Sequence, residues 1–169
     1  MPRCSTCEVL ALLAWALLGF GHVYCAIGQR AFDLAVAGAP RRTSLGLTRS
    51  MAYHPEVQHC AAEMALALAP IGPLLEQTAA DWSAGVDHGA QWPARIASAK
   101  HLAVEAARRV VDLALTISGG AGMFKGNELE RLYRDARFGG FHPANPLLTY
   151  EIVGKTALGV DLGEQPRWG

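Results

Sequence analysis

Residues 93–122 carry the pattern that most restricts the fold of this chain. From Pro93 onward, apolar or small residues recur at Ile96, Ala99, Ala103, Ala106, Val110, Leu113 and Ile117. Steps of three and four place them on one face of a helix about seven turns long. Pro93 suits the first turn, where its missing N–H has no helical partner. The run stops at Gly119-Gly120-Ala121-Gly122, because glycine readily takes the left-handed conformation that closes a helix. Much of the stripe is alanine, which lets a neighbouring helix approach closely. Glu105 with Arg109, and Arg108 with Asp112, stand one turn apart on the expected solvent side.

The other segments repeat the same period. A first helix is expected over Glu8–Ala37, apolar all round at first and then amphipathic with Gln29, Arg30 and Asp33, and ended by Gly38-Ala39-Pro40. A second opens at Pro55 with a face of Val57, Ala61, Met64, Leu68, Ile71 and Leu75, which Pro70, Gly72 and Pro73 should kink or split. Ser83–Gln91 reads as a loop. Asn127, with Glu130 as its reciprocal partner, caps a short helix Glu128–Arg137 that stops at Gly139-Gly140. Asn145-Pro146 opens a last helix reaching about Leu162, with Glu151 and Lys155 one turn apart. Strand-period alternation is missing at any useful length. The prediction is an all-α fold, a four-helix up-and-down bundle with a short additional helix. Residues 1–12 read as an N-terminal remnant, 13–162 as the bundle and 163–169 as a tail.

Composition removes several function classes. The chain has 169 residues, and Lys+Arg and Asp+Glu both total 15, so no global charge steers it to nucleic acid or an acidic membrane surface. Cys4-x-x-Cys7 and His22-x-x-Cys25 imitate zinc-ligand spacing, but the apolar run Val9–Phe20 between them offers no turn to gather the ligands. Reduced thiols of a cytoplasmic protein, with no metal, are the expectation. The stretch Val9–Gly28 has about the minimum length for a bilayer and contains His22 and three glycines. A buried first helix is therefore expected in preference to a membrane span or a signal segment. The six histidines do not cluster, and no nucleophile–base arrangement or Walker-type lysine is recognisable.

Two readings of the glycine loop stay open on residues alone. It caps a helix, or it lets a phosphate approach backbone N–H groups with Arg41 and Arg42 as counter-charge. The charge run Arg131, Arg134, Asp135 and Arg137 reads as an exposed helix with local ion pairs.

Taken in order, five segments resemble the C-terminal helical domain of the flavin-dependent acyl-CoA dehydrogenases. They are QRAFDLA at Gln29–Ala35, RTSLG at Arg42–Gly46, CAAEM at Cys60–Met64, SGGAGM at Ser118–Met123 and ERLYRDAR at Glu130–Arg137. The resemblance covers roughly Leu13 to Leu162. It implies FAD as cofactor, with Arg42, Thr116, Gly119, Gly120 and Asn145 at the family's flavin-contacting positions. It further implies that Arg42 and the glycines reach the ADP part of a flavin on a neighbouring subunit. The partners implied are a homo-oligomer or a partner flavoprotein subunit, with acyl-CoA bound only in a complete enzyme.

Two departures bear on activity. Thr116 stands where the family commonly has glutamine. The family's Tyr-Glu-Gly-Thr, whose glutamate takes the substrate α-proton, reads His142-Pro143-Ala144-Asn145 here. Proline cannot accept a proton, and the alternative base position on the first helix falls near Ala16, among residues with no acid. No catalytic residue is therefore assigned, and the chain is expected to be inactive alone. The alternatives are the flavin monooxygenase branch of the fold, a non-catalytic subunit of a heteromeric dehydrogenase, and an unrelated membrane-anchored helical protein.

Overall fold

The computed structural model describes residues 5–165, with side chains from Val9 onward. The expectations for residues 1–4 of the remnant and 166–169 of the tail lie outside the described residues, as do the side chains of Cys4 and Cys7. Six α-helices follow one another: α1 Ser5–Gly38, α2 Pro55–Leu68, α3 Ile71–Ser83, α4 Trp92–Ser118, α5 Glu128–Phe138 and α6 Pro146–Leu158. Short 3-10 turns precede α2, α4 and α6 and follow α1 and α4. No strand occurs among the described residues. The long second helix is split at Pro70, as its prolines require, into α2 and α3. The last helix ends earlier than expected, because Gly159 adopts φ +69° and closes it.

Helix α4 is the axis of the molecule and packs against each of the other five. One half of the core joins Ala31, Met64, Leu68, Val110, Ala114 and Leu132. The other joins Ala14, Leu17, Leu75, Ile96, Ala99 and Ala103. Between them α1 and α4 nearly touch: a Cβ added to Gly28 would lie 3.3 Å from the Ala107 Cα. A glycine and an alanine at this crossing permit the approach, which explains glycine inside a helix that otherwise disfavours it.

The single stripe read along α4 understates its burial. Ala97, Val104, Ala107 and Val111 are buried as well as Ile96, Ala99 and Ala103, so two adjoining faces are covered. The surface ion pairs also differ from expectation. Glu105 pairs with Arg108 at 2.7 Å, and Arg109 reaches across to Glu63 on α2. Asn127 caps α5 through the Leu129 N–H, but its own N–H donates to the Phe124 carbonyl rather than to Glu130. Helix α1 is buried on one side only. Leu12 and Trp15 are 72% and 79% exposed, and the helix is long and apolar enough to cross a membrane.

Candidate functional site

The C-terminal end of α4 is closed by Gly119 at φ +64°, whose N–H turns back to the carbonyls of Leu115 and Thr116. The carbonyls of Ile117 and Ser118 lie where α4 passes into the 3-10 turn Gly119–Met123, and each keeps acceptor capacity beyond the helix ladder. Arg42 takes both. Its guanidinium donates to the Ser118 carbonyl at 2.7 Å and to that of Ile117. The backbone brings it there: Arg42 is extended after the Ala39–Arg41 turn, and its own carbonyl accepts the Met51 N–H at 2.8 Å. A guanidinium at the negative end of a helix offsets the dipole and makes charge-assisted hydrogen bonds. Without it, this end of α4 would repel an anion.

The three glycines of the turn do different things. Gly119 is required by its positive φ. Gly122 is required by packing, since a Cβ there would come within 2.9 Å of Leu115. Gly120 has neither constraint: its φ is not positive, and an added Cβ would meet nothing within 4 Å. Open space over Gly119 and Gly120, beside a guanidinium that keeps further N–H groups, fits a pyrophosphate approaching the backbone. Thr116 lies one turn earlier, exposed, with its hydroxyl donating to the Asp112 carbonyl at 3.1 Å. Beside it opens a cleft of about 400 Å³ lined by Ser44, Leu47, His54, Cys60, Thr116 and Ile117. Arg41 is exposed in the turn before Arg42.

Asn145 is elsewhere. It caps α6 by accepting the Leu148 N–H at 3.0 Å, next to Ala144, whose carbonyl accepts from Lys100. Lys100 and Gly119 are separated by 19 residues of α4 numbering, or about 28 Å of helix at its usual rise. The structure thus gathers Arg42, Thr116, Gly119 and Gly120 at one end of the bundle and holds Asn145 at the other. One pyrophosphate cannot touch both groups.

Around Asn145 lies a cluster that the sequence pattern did not reveal. The His142 ring stacks on Phe20 of α1 at 4.3 Å and meets Phe138 edge-on at 5.1 Å. Burial, with the nearby Lys100 charge, pushes its pKa down, so it favours the neutral imidazole. Burial, then the Asp135 carboxylate, pushes the Tyr24 phenol up. Lys100 is only 1% exposed. The signal available for it was its place among Ile96, Ala99 and Ala103 on a stripe otherwise without charge. Pro143 is exposed. Among the described residues no three His, Cys, Asp or Glu side chains gather as a metal site needs.

Comparison with known proteins bears on this geometry. A model of the acyl-CoA dehydrogenase C-terminal domain matches residues 11–141. Cyclohex-1-ene-1-carbonyl-CoA dehydrogenase of Geobacter metallireducens is 31% identical over 147 residues, covering 83% of this chain and 37% of that protein. 3-Sulfinopropanoyl-CoA desulfinase of Paraburkholderia xenovorans is 32% identical over 150 residues, covering 88% of this chain and 36% of that protein. Among solved structures, a probable acyl-CoA dehydrogenase from Mycobacterium abscessus superposes with a TM-score of 0.81 at 29% identity, over 89% of this chain and 38% of that one. The chain therefore spans little more than a third of the length of the curated relatives it matches.

Proposed function

Because the chain belongs to the acyl-CoA dehydrogenase family, whose C-terminal domain it matches over residues 11–141, we propose that it serves as the FAD-contacting helical bundle of a flavin-dependent oxidoreductase acting on acyl-CoA thioesters in the cytoplasm. The observation that carries this reading is Gly120, a glycine the fold does not need, left open beside the Arg42 guanidinium. Bound FAD would supply the two-electron redox chemistry. Arg42 would hold the pyrophosphate charge, the Gly119-Gly120 backbone would give it close approach, and Thr116 would offer a hydroxyl at the rim.

The distance between the Arg42 group and Asn145 supports an assembly of more than one chain. Arg42, Gly119 and Gly120 serve a flavin carried mainly by a neighbouring subunit, while Asn145 serves one on its own side. The oligomer is then part of the site, and the chain alone is inactive.

A second reading follows from Pro143 and the acid-free stretch around Ala16. The complete enzyme carries out a flavin-dependent acyl-CoA reaction that does not begin with proton removal by a carboxylate. One relative is named as a 3-sulfinopropanoyl-CoA desulfinase, a reaction other than dehydrogenation, which supports this reading.

A chimera tests the leading reading. The chain replaces the matching C-terminal part of the Geobacter metallireducens relative, and the purified protein is examined for yellow flavin absorbance and oligomeric state. Retained FAD that is lost on Arg42→Ala supports the proposal. A folded, oligomeric but colourless chimera, or one whose flavin is indifferent to Arg42→Ala, overturns it.

A further inference from the structure

Lys100 is the one charged residue buried among the described residues, at 1% exposure. Its Nζ donates to the Gly139 carbonyl at 3.1 Å and to the Ala144 carbonyl at 3.2 Å. These are backbone acceptors, not a carboxylate. A buried ammonium is expensive to desolvate, and leucine or methionine would fill the same space on this apolar face. What lysine adds is a pair of donors that reaches both ends of one bend.

The bend is demanding in its own right. A Cβ on Gly139 would lie 2.8 Å from both Tyr24 and Val104. Ala144 sits at φ +56° while only 5% exposed, a conformation that L-residues other than Asn and Asp rarely hold. The Thr149 hydroxyl donates a further bond to the Ala144 carbonyl at 3.0 Å. Such a conformation persists only where its surroundings over-determine it.

We infer that Lys100 is a clamp on the 139–145 connection, holding Ala144 left-handed and so positioning His142 and Asn145. The clamp rests on the hydrogen bonds and the Ala144 backbone, not on the flavin reading. It explains a lysine enclosed among the buried apolar residues of α4, and it accounts for both of that lysine's hydrogen bonds. It also explains how the His142 ring is kept against Phe20: the segment carrying it is tied at both ends to α4.

Hydrogen exchange on the purified chain tests the clamp. Lys100→Met keeps the side-chain volume and removes the donors. It should raise exchange of the Leu148 and Thr149 amides, which donate to Asn145 at the end of the bend, by about tenfold or more, the ratio one lost buried hydrogen bond implies, relative to the middle of α2. Adding Ala144→Gly, which makes the left-handed conformation free of strain, should recover at least half of that protection. If Lys100→Met cannot be purified, the same selective rise is expected of the double variant against Ala144→Gly alone. A rise spread evenly along α4, no rise, no recovery with glycine, or failure of both variants to fold would each overturn the clamp.

Discussion

The two ends of α4 are each held by a cation on a pair of backbone carbonyls, and the difference between them is instructive. At the C-terminal end Arg42, only partly buried, takes Ile117 and Ser118 beside an open glycine turn. Near the other end Lys100, fully enclosed, takes Gly139 and Ala144 in a crowded bend. The geometry of donation is alike, but the surroundings assign different uses. A guanidinium with five donors and access to solvent can cap a helix and still meet an anion. An ammonium without access is spent on holding the fold.

Substitutions at the two ends should break this comparison if it is wrong. The largest effect is expected from Gly139→Ala, whose new Cβ lies 2.8 Å from Tyr24 and Val104. Overpacking of this kind should destabilise the chain by about 1–3 kcal/mol in urea unfolding. Arg42→Ala should cost about 1 kcal/mol, since it removes two charge-assisted bonds at a partly exposed helix end. Ala144→Gly should stabilise slightly, by less than about 1 kcal/mol, as relief of the left-handed strain outweighs the extra freedom of unfolded glycine.

Titration probes the Lys100 end alone. Burial lowers the Lys100 pKa in the folded chain. Below that lowered value both states carry the proton, and the full burial penalty is present. As pH rises through it, the native state sheds the proton before the unfolded chain does near about 10.4. Stability should therefore rise gently over that window, and the rise should vanish in Lys100→Met. The neutral amine keeps two N–H donors for its two carbonyls, so the clamp survives the change. The smallest effect is expected from Gly120→Ala, within about 0.5 kcal/mol, as nothing stands in the way of its methyl group.

Much of this fold was legible because local rules and tertiary structure agree. Pro55 and Pro93 open helices, Pro70 divides one, and the glycine turn ends α4. The Arg42 side of the candidate site was legible from motif order, and its direct contact with the α4 terminus follows from geometry that sequence does not carry. Lys100 was missed for a physical reason. A single-face reading treats a lysine on α4 as solvated, whereas an axial helix has neighbours on two adjoining faces and buries it. The pairing of Arg109 with Glu63 escaped for the same reason, since one-turn spacing sees only partners on the same helix. The apolar sequence of α1 reads as a buried helix, whereas one side, with Leu12 and Trp15, is exposed, because composition does not say how much of a helix its neighbours cover.

The central claim, that the turn beside Arg42 is built for a flavin pyrophosphate, is tested most directly by titrating the chain with ADP. Backbone amides of Gly119 and Gly120 and the Arg42 Nε would be followed by NMR. The account predicts saturable shifts confined to these groups and neighbours such as Thr116, abolished by Arg42→Ala and absent at Asn145. Shifts at Asn145 with none at Gly120, or a response unchanged by Arg42→Ala, would contradict it.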